Sequence, residues 1–116
     1  MTALFTLTPE AVGTIDADSK PAILDQLARR FAEVYQLDPV LVLDRIEERE
    51  KLGSTGFGRG VAIPHARIPD LARPVAVFFR LSSPVAFDAA DGMPVEMVFG
   101  LLSPASAGAA HLHALA

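Results

Sequence analysis

Histidine occurs at positions 65, 111 and 113. An imidazole is the side chain best suited to hold a proton, a metal or a transferable group near neutral pH. His65 ends the stretch GSTGFGRGVAIPH, in which Gly53, Gly56, Gly58 and Gly60 precede the apolar run Val61, Ala62, Ile63 and then Pro64. Glycines at this density let successive backbone N–H groups approach an anion closely. Pro64 stiffens the chain just before the ring. An arginine stands on either side, Arg49 in EREKLG and Arg67 in HARIPD. A guanidinium fork donates two parallel hydrogen bonds to phosphate, so the combination reads as an anion cradle beside a nucleophile.

Plainer readings exist for each part. The glycine run serves equally as a flexible helix-to-strand connection, His65 as a hydrogen-bonded strand end, and Arg49 as a solvated charge paired with Glu47 or Glu48. Two nucleotide motifs are excluded. A dinucleotide fingerprint follows a strand and opens a helix, whereas these glycines follow a helical pattern and lead to a strand. No Lys-Ser or Lys-Thr pair follows them, so this is not a Walker loop. His111 and His113 do not make a metal pair, because residues i and i+2 of a helix face nearly opposite directions. No metal and no cofactor is expected.

Composition narrows the class further. With 51% hydrophobic and 21% charged residues in 116, the chain is globular and long enough for one core, so residues 1–116 are expected to form a single domain. The net charge of −4 and the absence of a basic run argue against nucleic acid. The chain contains no cysteine, which rules out disulfide and thiolate chemistry. The N-terminus lacks the pattern of a secretory signal, and no apolar run reaches the roughly 18 residues of a membrane span. The expectation is a cytoplasmic protein with no direct membrane insertion.

The positioning elements follow from periodicity and caps. Ser19 caps a first helix with Pro21 in its opening turn, and Ile23, Leu24, Leu27, Ala28, Phe31, Val34 and Tyr35 fall on one face. Asp38 and Pro39 open a second helix, PVLVLDRIEEREKL, stopped by Gly53 and packed on the first through a short connection. Strands are expected at Val61 to Ile63, Pro74 to Leu81, Val85 to Phe87 and Val95 to Leu102, with an Asp91-Gly92 turn between the last two. GAAHLHALA, from Gly108, reads as the opening of a helix that stops after about two turns, so C-terminal helices are expected to be missing. The fold class is α/β, a mixed sheet flanked by helices on both sides.

EREKLGSTGFGRGVAIPHARI resembles the active-site segment of the fructose/mannitol class of enzyme IIA domains in the bacterial phosphoenolpyruvate-dependent phosphotransferase system. It is most similar to the nitrogen-regulatory branch, where the REK, GSTG and AIPH elements recur in this order. FDAADGMPVEMVFGLLSP and AAHLHALA resemble that family too, so the likeness covers Asp38 to Ala116, the first helix fitting more loosely. The resemblance implies a phosphocarrier. His65 is then the phosphoryl acceptor at Nε2, His111 the second active-centre histidine and Arg49 the family's arginine, with His113 a neighbour. It also implies phosphoryl supply by a histidine-phosphorylated HPr-type carrier protein, and either relay to a sugar-specific IIB domain or a regulatory use. The latter is favoured by the short single-domain chain. In this reading Ser54, Thr55, Gly56 and Arg67 are phosphate-binding candidates, and Phe57 is a candidate for carrier docking. The alternative is a non-catalytic regulatory interaction module of the same fold.

Overall fold

The computed structural model describes residues 8–105. A 3-10 turn over Pro9–Ala11 leads into strand β1, Val12–Ile15. Helix α1 spans Lys20–Tyr35; the Ser19 hydroxyl accepts from the Ala22 N–H at 3.2 Å, supplying a partner to one of the free donors of the first turn. Gln36, in the left-handed region, ends it, and Asp38 opens helix α2, Pro39–Lys51, by accepting from the Val40 N–H at 3.0 Å. Ile23, Leu24, Leu27, Ala28 and Phe31 from α1 meet Val42 and Ile46 from α2 in the core, with Val34 and Tyr35 packed at its edge. The spacing that predicts one buried face is the face that is buried.

The other strands are β2 (Gly56–Gly58), β3 (Val61–Ala62), β4 (His65–Ile68), β5 (Val75–Val85) and β6 (Val95–Pro104). They form a mixed sheet in the order β1-β5-β6-β3-β2, with β4 also on β6. β5 and β6 are antiparallel, β1 runs parallel to β5, and β3 and β4 run parallel to β6. The expected α/β architecture, a mixed sheet with packed helices, is what the described residues form.

Four local differences separate sequence and structure. The glycine run is a hairpin and not a loose connection: β2 and β3 pair antiparallel, Gly58 opposite Val61, through a turn of Arg59 and Gly60. Both turn residues have positive φ, 57° and 80°, the geometry that matches the twist of paired strands and that Gly60 adopts without a Cβ penalty. His65 does not end a strand but begins one. β3 and β4 continue one register on β6, Val61 opposite Met97 and His65 opposite Leu101, and the break falls at Ile63 and Pro64, where proline has no N–H to give the ladder. β5 runs through Ser82, Ser83 and Pro84 to Val85, with a register shift, whereas Ala86 and Phe87 leave the sheet and Phe87 is fully buried. β1 lies in a segment whose short, weakly alternating pattern announces no strand. The expected helix from Gly108 lies outside the described residues.

Candidate functional site

The hairpin, the end of α2 and the start of β4 converge on His65. Its Nδ1 lies 2.8 Å from the Ile63 carbonyl oxygen. A carbonyl only accepts, so Nδ1 carries the proton and Nε2 keeps its lone pair. The ring is half-buried, and burial is the main cause holding its pKa below the ordinary histidine value. The bond to Ile63 pulls the other way, the Arg49 charge lowers the pKa further, and Glu50 raises it. The neutral ring is therefore favoured down to more acidic pH than in an exposed histidine.

Arg49, Ser54, Thr55 and Gly56 line one cleft of about 400 Å³ with His65, Ile63 and Phe57. Arg49 sits in the last turn of α2 and donates from Nη1 to the Gly53 carbonyl at 2.9 Å. That bond ties the residue that follows the helix cap back to the last turn, in place of the pairing with Glu47 or Glu48 that a solvated arginine would make. Most of its five donors have no hydrogen-bond partner among the described residues. Phe57 is 71% exposed at the rim, and Leu52 stands open at the end of α2.

The loop donors are arranged differently from an anion cradle. Ser54 donates its hydroxyl proton to the Phe87 carbonyl at 2.7 Å and accepts from the Gly56 N–H at 3.0 Å. The Thr55 N–H and hydroxyl both donate to Glu50, and the Arg59 N–H donates to Asp91 at 2.9 Å. These donors hold the hairpin against the rest of the protein. Gly56 is required by close approach: a Cβ there would lie 2.6 Å from the Ala89 Cα. Arg67 is on β4 two residues beyond His65, exposed, and not among the residues lining the cleft. His111 and His113 lie outside the described residues.

Sequence reasoning missed Glu50. In EREKLG it reads as one more charge on a solvated helix face, yet its side chain is 6% exposed and ion-paired to Lys20 at 2.8 Å. The only hint is a threonine five positions on, whose spacing says nothing of burial. The Ile63 carbonyl was also invisible, because a backbone acceptor leaves no mark on residue identity.

The described residues thus form a mixed sheet that presents a half-buried imidazole with one nitrogen held, an arginine lining the same cleft and an open rim. The sequence profile of the phosphoenolpyruvate-dependent sugar phosphotransferase system EIIA 2 family matches residues 6–116, and the chain belongs to that family. It is 43% identical over 111 residues to a nitrogen regulatory protein of Bradyrhizobium diazoefficiens, covering 95% of this chain and 72% of that one. To the nitrogen regulatory protein of Escherichia coli K12 it is 43% identical over 102 residues, covering 87% of this chain and 63% of the other. The crystal structure of the nitrogen regulatory protein IIA-Ntr from Neisseria meningitidis superposes with a TM-score of 0.86 at 36% identity, over 97% of this chain and 76% of that one. The fold is thus that of the EIIA phosphocarriers, on the nitrogen-regulatory side of the family. No described helix is long and apolar enough to cross a membrane.

Proposed function

We propose that this chain accepts a phosphoryl group on Nε2 of His65 from a histidine-phosphorylated HPr-type carrier protein, and that its phosphorylation state serves regulation. The observation that carries the reading is the Nδ1 contact to the Ile63 carbonyl, which leaves Nε2 as the nucleophilic atom. In the transfer the Nε2 lone pair forms a bond to phosphorus while the nitrogen–phosphorus bond of the carrier breaks, its electron pair returning to the carrier's ring. The proton on Nδ1 of His65 stays where it is. Phosphoryl transfer runs through a loose, in-line transition state, so the protein's task is placement and charge stabilisation.

Arg49 offsets the charge on the transferring group with the free part of its fork. His111, by family resemblance, donates a further hydrogen bond. Ser54, Thr55 and Gly56 fix the loop that shapes the cleft, and Arg67 serves the approach of the anionic group from the β4 side. Phe57 supplies an apolar contact for the carrier, since an aromatic ring exposed at the rim of a cleft is suited to a partner surface. Relay to a IIB domain uses the same atom in reverse.

The test is intact-mass analysis after incubation with phosphoenolpyruvate and the general carrier proteins. Wild type gains one acid-labile phosphoryl group, His65→Ala gains none, and Phe57→Ala gains it with weakened affinity for the carrier. Label on His65→Ala at wild-type stoichiometry rejects the acceptor. No label on wild type favours the non-catalytic interaction module, and unaltered affinity in Phe57→Ala removes that residue from the docking surface.

A further inference from the structure

An unbroken series of hydrogen bonds joins the first residue of α1 to the ring of His65. Lys20 Nζ lies 2.8 Å from Glu50 Oε2 and 4.7 Å above the centre of the Phe87 ring. The Glu50 carboxylate, 6% exposed, takes the Thr55 N–H at 3.2 Å on both oxygens and the Thr55 hydroxyl on Oε1. The Thr55 carbonyl accepts from the Ile63 N–H at 2.9 Å, and the Ile63 carbonyl faces His65 Nδ1 at 2.8 Å. Every donor in the series points toward Glu50. Hydrogen bonds aligned in one direction polarise one another, and a buried carboxylate is tolerable only when paired and bonded in this way.

We infer that Glu50 is a positioning residue for phosphoryl transfer: through Thr55 and Ile63 it holds His65 in the tautomer that leaves Nε2 unprotonated. Glu50 lies behind the loop, where its carboxylate fixes the peptide that in turn fixes the ring. Lys20, 2.8 Å away, holds that carboxylate in place. The rate consequence rests on the phosphocarrier reading, whereas the tautomer consequence stands without it.

The experiment compares wild type with Glu50→Gln, which keeps shape and one acceptor but loses the charge. Two quantities are read: the His65 tautomer, from long-range proton–nitrogen correlation in labelled protein above the ring's titration, and the rate of uptake from phosphorylated carrier protein. In wild type the Nδ1–H tautomer dominates. In Glu50→Gln the Nε2–H tautomer gains population and kcat falls about ten- to hundredfold, with KM for the carrier unchanged. A merely structural carboxylate would shift the unfolding midpoint and neither of these. An unchanged tautomer, or an unchanged rate, overturns the assignment. If wild type takes up no phosphoryl group, the functional reading fails and the tautomer alone decides this one. Should Glu50→Gln not fold, Thr55→Val against Thr55→Ser decides: the hydroxyl-bearing variant retains the wild-type tautomer and rate, the valine variant loses both, and equal behaviour of the two overturns the inference.

Discussion

Two nitrogens of one ring divide the labour at position 65. Nδ1 is committed to a backbone carbonyl, and in the proposed function Nε2 is the atom that takes the phosphoryl group. Burial and the Arg49 charge hold the pKa below the ordinary value of about 6.5, so the ring takes up its second proton only at lower pH. The same shift has a sign for stability. The unfolded chain binds the proton more readily, so this residue's contribution is full above about 6.5 and is lost as pH falls through the lower, folded value. Arg49→Ala removes one of the groups that depress the pKa, so the His65 titration moves upward. Phosphoryl uptake falls about a hundredfold through lost charge stabilisation. Following the ring's proton resonances against pH checks the first effect; a downward shift, or none, would contradict the electrostatic role of Arg49.

At the scale of elements, legibility tracks how local the cause is. Ser19, Asp38 and the helical spacing from Ile23 to Tyr35 announce α1 and α2 because caps and periodicity are written in consecutive residues. The β2–β3 hairpin was less legible. Its turn residues, Arg59 and Gly60, lie in a glycine run that suggests flexibility, and only the pairing of Gly58 with Val61 makes them a turn. The restart of the strand at His65 needs β6 as a template, and β1 needs β5; neither partner is visible locally. Of the site, His65 and Arg49 stand out by type and position. Glu50 and the Ile63 carbonyl do not, because burial and backbone acceptors arise from tertiary packing. Gly56 marks where two elements touch, the hairpin and the connection after β5. In Gly56→Val the new side chain meets Ala89 backbone, which cannot yield as a flexible side-chain tip would. The expected cost is about 1–3 kcal/mol, the usual penalty of overpacking, seen as a lowered denaturation midpoint. An unchanged midpoint would show that the Ala89 segment is free to move.

In the whole molecule the core and the site share parts. Phe87 is fully buried, stacks under Lys20, and gives its carbonyl to Ser54, so the connection after β5 both closes the core and braces the loop. α1 and α2 pack on each other, and Lys20 at the start of one meets Glu50 near the end of the other, directly behind the hairpin. The rim of the His65 cleft carries Phe57, an aromatic ring facing outward over a braced interior.

The account depends on a ring whose inner nitrogen is held by main chain, and whose outer one is offered to a phosphoryl donor. Proton–nitrogen–phosphorus correlation on the phosphorylated protein tests this most directly. Phosphorus coupled to Nε2 of His65, with the Nδ1 proton retained, is the predicted result. Phosphorus on Nδ1, or on another side chain, would contradict it.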